Sequence, residues 1–466
     1  MLGDAIQPEI GELIQGKDFA TLKGALAALE AADVADLAGG LDGEELGVVF
    51  RLLPTERAAE VFASLDLEKQ EDLLGILSGQ ALADILNEMA PDDRTELFED
   101  LPEDVRKRLM GALSRDERRV AIDLLTYPTD SIGRLMTPEF VAVRSHWAVG
   151  DVLTHIRKVA PRKETVNVLY VVDQGGRLVD DLLLQDLVLA DPAGTVADLI
   201  DRQPVFLQAN EDREEAVDIF MKYDEVALPV VDDAGVLVGI VTIDDVMDVQ
   251  AEETTEDVHK MAAVTALEEP YFATTYGEML RKRLPWLALL FGAELLTVTA
   301  LTGFMRGMED VAVFALIVPF MPLVNATAGN TGAQIGGLII RGLAVHEVAP
   351  GDWVKVLARE AALGATMGLL LGLLGVAAST ILLSFGPAGG AGPASLLPNA
   401  LSVGISIAVA VAFANLAGGM IPLLFKRFGL DPAVTSGPFL ASIMDVTGVL
   451  IYFSIATMML HSLRAG

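Results

Sequence analysis

Asp445 is the residue of this chain most able to do chemistry. It lies in the run SGPFLASIMDVTG, residues 436–448, and is the only carboxylate in the apolar segment Pro438–Leu463. A carboxylate at membrane depth is costly unless it is paired or wet, so it marks an ion or substrate pathway by default. Two other states would keep it there: a protonated Asp bonded to a neighbouring helix, or an Asp–Arg pair. No basic residue lies at comparable depth, which leaves the pair without a partner. A second polar run, NATAGNTGAQ at 325–334, follows Pro319 and Pro322 in another apolar segment. Gly, Asn and Thr at that depth imply close helix packing, or backbone that faces water or protein. Glu294, alone in a third segment, can face an internal cavity or a neighbouring helix.

These residues need a membrane to act in, and the charge distribution supplies one. Arg281–Gly466 carries ten basic and eight acidic residues, leaving 23 basic against 58 acidic in Met1–Leu280. No Lys, Arg, Asp or Glu occurs between Glu360 and Lys426. Hydrocarbon excludes charge and needs about 20 apolar residues per spanning helix. Five apolar segments meet that description: about Leu284–Met305, Val311–Ile340, Ala361–Phe385, Leu396–Phe425 and Pro438–Leu463. Basic clusters precede the first, separate the second from the third, and separate the fourth from the fifth. The positive-inside rule puts all of them in the cytoplasm. The acidic half is then cytoplasmic and the C-terminus outside.

The acidic half is built from repeats. Residues 30–125 repeat with a period of 12, in blocks ending at Leu41, Leu53, Leu65, Leu77, Met89, Leu101, Leu113 and Leu125. The eighth and ninth positions of the blocks are apolar, from Leu37 and Ala38 to Ala121 and Ile122. Each block predicts one short amphipathic helix that needs stacking neighbours, hence a superhelical array. Its outer faces are acidic, as at Asp92, Asp93 and Glu96, and some can hold cations if another acidic surface approaches. Further on, VLYVVDQGGRLVDDLLLQDL (168–187) aligns with ALPVVDDAGVLVGIVTIDDV (227–246) at an offset of 59 without gaps. Each copy reads strand, turn, strand, helix, with a helix predicted before it: two α/β modules. The segment 250–270 predicts an amphipathic helix carrying Glu253, Glu256 and Asp257.

Composition excludes other classes. With no cysteine, disulfides and thiolate metal sites are impossible, and five histidines scattered without ligand spacing disfavour zinc, so any metal is expected to be held by oxygen. The N-terminal residues have no basic and apolar stretch of signal-peptide type. The acidic surplus disfavours nucleic acid and suits cations. No nucleophile–base pair or Walker-type loop appears, so no enzyme is expected.

Residues 132–250 resemble a tandem CBS domain, on Leu135-Met136-Thr137 and on GIVTIDD at 239–245. In CBS modules the residues matching Thr242 and Asp245 often contact an adenine nucleotide. The equally open reading is a strand-to-helix turn with Asp245 near the helix start. The first copy has Leu183 in place of that Thr.

The whole chain resembles the MgtE family of magnesium channels and transporters. The specific pieces are GNTGAQ at 329–334, Asp431-Pro432-Ala433, and SGP at 436–438 followed by DVTG at 445–448. The resemblance implies an acidic helical N domain (1–130), an α/β tandem CBS domain (131–250), a connecting plug helix (251–275) and an all-α membrane domain of five helices (276–466). It implies a homodimer in the plasma membrane that takes up Mg²⁺. Asp445, with backbone at Ala441, would bind a hydrated Mg²⁺, and Gly329, Asn330, Gly332 and Gln334 would line the same path. Further Mg²⁺ ions would hold the gate shut through Asp212, Glu214, Asp224, Asp245, Asp248, Glu253, Glu256, Asp257 and Asp431. The N-domain counterparts fall at Asp92, Asp93 and Glu96. ATP or another adenine nucleotide would sit at Thr242 and Asp245. Two rival readings are a proton-coupled divalent-cation transporter and a membrane-anchored sensor that transports nothing.

Overall fold

The computed structural model describes residues 2–201, 203–267, 271, 274–307, 317–385 and 393–464. The chain forms two units, Met1–Ala251 and Glu252–Gly466. The first opens with ten helices: α1 (Leu2–Gln15), α2 (Phe19–Ala28), α3 (Ala31–Gly39), α4 (Gly43–Leu52), α5 (Thr55–Ala63), α6 (Leu67–Ile76), α7 (Gly79–Glu88), α8 (Pro91–Asp100), α9 (Glu103–Ala112) and α10 (Arg115–Leu124). From α3 onward each helix starts twelve residues after the last, as the repeat requires. The block-ending residues Leu53, Leu77, Met89, Leu101 and Leu113 take extended backbone and turn each corner. Helices pack on the second helix along, α3 on α5, α5 on α7, α4 on α6 and α8 on α10. Eighth-position residues such as Leu37, Val61, Leu73 and Leu109 are buried, through to Ala121 in the last block, whose ninth-position Ile122 is exposed, since no further repeat covers it.

A device not expected from the apolar pattern ties the repeats together. Gln70, Arg94, Arg106 and Arg118 each donate to the carbonyl eight residues earlier: Phe62, Leu86, Phe98 and Met110. Those carbonyls end the preceding helix, where no intrahelical donor is available.

The two modules follow. After a one-turn helix, α11 (Ile132–Leu135), come β1 (Ala142–Val143), α12 (Val149–Val159), β2 (Val168–Val172), β3 (Leu178–Leu183) and α13 (Leu184–Leu189). The second copy supplies β4 (Leu207–Gln208), α14 (Glu214–Tyr223), β5 (Ala227–Val231), β6 (Leu237–Thr242) and α15 (Ile243–Met261). Each copy makes a three-stranded sheet, with its first strand parallel and its last antiparallel to the central one. The offset of 59 carries β2 onto β5 and β3 onto β6 residue for residue. Both turns are closed by an aspartate that accepts two backbone N–H bonds, Asp173 in one and Asp232 in the other. Gly176 and Gly235 follow with positive φ, which glycine adopts without strain. α15 runs on through Glu253, Glu256 and Asp257 as one 19-residue helix.

The second unit holds α16 (Tyr276–Gly307), α17 (Met321–Ala344), α18 (Trp353–Phe385), α19 (Pro393–Arg427) and α20 (Gly437–Arg464). Among the described residues, four of these are long and apolar enough to cross a membrane; α17 is not one of them. Its 24 residues include Asn325, Asn330, Gln334 and Arg341, which lower its hydropathy. Residues 308–316, the expected start of that segment with its preceding connection, and 386–392 lie outside the described residues.

Contacts fix the helix directions. Asn325 lies against Gly448, Gly329 against Ala441 and Gly336 against Leu440, so α17 runs antiparallel to α20. Gly332 lies against Ala414 and Ile335 against Gly419, so α19 runs parallel to α17. Gly364 faces Ala412 and Gly372 faces Gly404, so α18 opposes α19. Glu294 meets Asp445 and Phe304 stacks on Phe453, so α16 runs with α20. Successive helices therefore alternate in direction. Small residues make these approaches close: a Cβ on Gly372 would lie 2.6 Å from the Gly404 carbonyl oxygen.

Candidate functional site

Carboxylates gather in three groups among the described residues, each in a different setting. In the first unit, α8 begins at Pro91, which places Asp92 and Asp93 in its first turn. Asp92 is buried with its Oδ1 unpartnered. Burial, then Asp245, Asp93 and Glu164, push its pKa well above the usual carboxylate range. Asp93 is pushed up to about 6 by burial, Asp244 and Asp248. Glu164 reaches about 7, through burial and the charges of Asp245, Asp244, Asp93 and Glu139. Asp245 is raised to about 6 by burial, against the lowering effect of the Thr242 hydroxyl. Asp248 is raised by burial and by Asp244. The start of α8 and the start of α15 thus meet, joined by Glu164 from the segment between α12 and β2.

Of the twelve carboxylates expected to hold regulatory Mg²⁺, the fold brings Asp92, Asp93, Asp245 and Asp248 together here. Glu164 and Asp244 join them without having been expected. Glu164 lies far from both runs in sequence and carries no motif. Among the described residues no group of three or more carboxylates or histidines is set to hold a metal ion. The cluster fits a hard cation by donor chemistry: oxygen atoms only, with a buried orphan acceptor among them.

Glu96 lies one turn beyond Asp92 on α8, whereas Asp212, Glu214 and Asp224 lie at the two ends of α14. Asp212 accepts the Glu214 N–H at the start of α14, and Asp224 caps its end in left-handed backbone. The ten-residue helix separates them by about 15 Å, so Asp212 and Asp224 of one chain cannot share an ion. Thr242 donates its N–H and hydroxyl to Asp245 at 3.2 and 2.7 Å, the turn arrangement held open against nucleotide contact.

In the second unit the end of α15 meets the α19–α20 connection. Lys260 Nζ lies 2.7 Å from Glu256 and 2.7 Å from Asp431. The other Asp431 oxygen accepts the Ala433 N–H at 2.8 Å. Burial lowers the Lys260 pKa, but the bonds to Asp431 and Glu256 outweigh it and hold the ammonium above its ordinary value. Asp257 is raised by burial and by Asp431, while Lys260 and Lys426 lower it. Met261 closes the helix against Gly337 of α17. Glu256, Asp257 and Asp431 are thus brought together, around a lysine that the sequence reading did not single out.

The third group lies among the long helices. A Cβ on Gly329 would stand 3.7 Å from that of Ala441, and one on Gly332 would stand 3.4 Å from Met444 Cγ. Asn325 Nδ2 donates to the Asp445 carbonyl at 3.2 Å. The Asp445 carboxyl meets the side chains of Glu294 and Asn325. Asn330 and Gln334, one turn apart, are exposed on the opposite face of α17. So Gly329 and Gly332 pack beside Asp445, while Asn330 and Gln334 point away from this packed face.

A helical array, two CBS-type modules and a bundle of long apolar helices with an internal carboxylate define a polytopic membrane protein. Three family descriptions match the corresponding parts: the MgtE intracellular N domain at 29–130, a CBS domain at 196–252 and a divalent cation transporter at 321–455. The chain is 38% identical to "Magnesium transporter MgtE" of Thermus thermophilus over 97% of its own length and 98% of that protein's. It is 33% identical to the Bacillus subtilis protein of the same name over 73% of this chain and 72% of that one. A crystal structure of the cytosolic domain of the Mg²⁺ channel MgtE in complex with ATP matches 52% of this chain and 99% of that one. Its TM-score is 0.50, at 38% identity. This chain belongs to the MgtE family of magnesium transporters, which are not enzymes.

Proposed function

We propose that this protein is a homodimeric Mg²⁺ uptake pathway that cytoplasmic Mg²⁺ closes. The observation that carries the reading is the carboxylate cluster of Asp92, Asp93, Glu164, Asp245 and Asp248, with Asp92 at its buried centre, where desolvation and like charges raise every member. Such a cluster is unfavourable when ionised and becomes favourable when a divalent cation bridges it. At high Mg²⁺ the acidic surfaces are drawn together. At low Mg²⁺ they repel and separate. The single helix α15 starts at this cluster and ends against Asp431 and Gly337, so it can carry the change to the long helices.

The ion path runs beside Asp445, with Ala441, Gly329 and Gly332. Mg²⁺ dehydrates reluctantly, so an outer-shell grip suits passage. Asn330 and Gln334 are exposed at membrane depth, where lipid would leave their amides unsatisfied. A second copy or a water-filled path across this face removes that cost, which supports the dimer. The alternating helix directions support five crossings and opposite sides for the two termini. ATP at the second CBS copy fits Thr242 and Asp245 if their mutual bonds open.

Mg²⁺ uptake into proteoliposomes tests the reading, comparing wild type with Asp445→Ala. Uptake that needs Asp445 and falls when Mg²⁺ is raised on the soluble face is the expected result. Uptake indifferent to both would overturn it.

A further inference from the structure

We propose that Glu294 of α16 and Asn325 of α17 act with Asp445 as acceptors for the water shell of the transported cation, making it a three-helix site. The inference rests on the reading of Asp445 as the ion-binding carboxylate, and extends it to two residues not assigned there.

Glu294 is the only charged residue between Arg283 and Arg306, so it lies mid-way along α16. That helix is largely uncovered, with 6% of its apolar window buried. A carboxylate there is costly without a specific purpose, and its side chain meets the carboxyl of Asp445. The approach is not a loose one. One helical stretch further along, Phe304 stacks on Phe453 with ring centroids 5.4 Å apart, fixing α16 against α20. Ala300 and Leu301 pack into the same cluster as Tyr452 and Ala456.

Asn325 supplies an independent observation. It is only 6% exposed. Its Nδ2 is engaged with Asp445, and its Oδ1 is buried with no donor among the described residues. That oxygen lies over Gly448, one turn beyond Asp445 on the same helix. Ionised, both carboxylates are acceptors only, as is the orphan amide oxygen, and the Asn325 Nδ2 is the one donor these three side chains offer. No Lys or Arg lies in the described middle stretches of α16, α17 or α20 to supply donors. A hydrated divalent cation presents O–H donors in every direction together with positive charge, which matches this set. The ligand class is therefore a small divalent ion that keeps its water shell.

The test uses the full chain in proteoliposomes with no Mg²⁺ on the soluble face. Half-saturating external Mg²⁺ and maximal rate are measured separately for wild type, Glu294→Gln, Glu294→Asp, Asn325→Ser and Asp445→Asn. Hexaamminecobalt(III), whose ammine shell cannot exchange, probes outer-shell recognition. Glu294→Gln is expected to raise half-saturation and weaken hexaamminecobalt inhibition by about tenfold each. Glu294→Asp should recover most of the loss, and Asn325→Ser should show a smaller shift in the same direction. A purely structural role would lower maximal rate or thermal stability while leaving inhibitor potency unchanged, and that outcome overturns the proposal. If Asp445→Asn abolishes uptake while Glu294→Gln behaves as wild type, only this extension fails. If Asp445→Asn also behaves as wild type, the underlying pore assignment fails with it.

Discussion

The carboxylates around Asp93 and those around Asp431 differ in where their counter-charge comes from. In the first group the charges acting on Asp92, Asp93 and Glu164 are all carboxylates, and all three are raised. In the second, Lys260 lies between Glu256 and Asp431, and Lys426 acts on Asp257. The first group needs a cation from solution to become comfortable; the second carries one covalently. Under the proposed function, Mg²⁺ sensing falls mainly to the first group, and the second provides a cation-independent hold on the end of α15. That hold is modest, because Glu256 and Asp431 are each more than a third exposed and such pairs are screened by solvent.

The contrast can be broken by exchanging the two situations. Glu164→Lys puts a fixed ammonium into the first cluster. It should lower the Mg²⁺ needed to protect the full chain from proteolysis by roughly 100-fold, or remove the requirement. An unchanged Mg²⁺ requirement would break the distinction. Asp93→Asn with Asp248→Asn comes next. With Asp93 raised from 3.8 to about 6, neutralising it should stabilise the Mg²⁺-free protein by on the order of 2 kcal/mol. Thermal unfolding in chelator measures this, and Mg²⁺ should then add less stability than it adds to wild type.

The pH dependence follows from the same shifts. Asp93 and Asp245, near 6, and Glu164, near 7, bind more protons folded than unfolded. Stability in chelator should therefore be fullest at or below about pH 4 as far as these groups contribute, and fall as pH rises toward 7. Saturating Mg²⁺ should flatten the curve. Equal slopes with and without Mg²⁺ would show that the cluster does not take the ion. Lys260→Gln is the smallest change, about 0.5–1 kcal/mol. It should make protection of the α15 end more dependent on Mg²⁺ than in the wild type.

Periodic features were legible in the sequence because each rests on a local pattern. The twelve-residue spacing reappears as helix starts at Ala31, Gly43, Thr55 and onward. The offset of 59 reappears as matching strands, although the matched CBS region, 196–252, covers only the second copy. The first copy keeps the fold with Asp180 buried on β3, its oxygens accepting the Asp181 and Asp201 N–H groups. What could not be read is what the fold assembles from distant segments. Glu164 joins Asp92 and Asp245 only through packing. Lys260 reads locally as an ordinary partner of Glu256 four residues earlier; its bond to Asp431 appears only in three dimensions. The arginine ties at 94, 106 and 118 share the repeat period, and counting polar as well as apolar positions would have found them. For α17 the same polar residues that make it a candidate path also hide it from a test of apolar length.

The central claim is that the first carboxylate cluster closes the pathway when cytoplasmic Mg²⁺ binds. Its most direct test is the rate of Mg²⁺ uptake in proteoliposomes as Mg²⁺ is varied on the soluble-domain face, for wild type and the Asp93→Asn/Asp248→Asn variant. The account predicts suppression of the wild type by Mg²⁺ and a variant that stays open to much higher concentrations. Two superimposable suppression curves would contradict it.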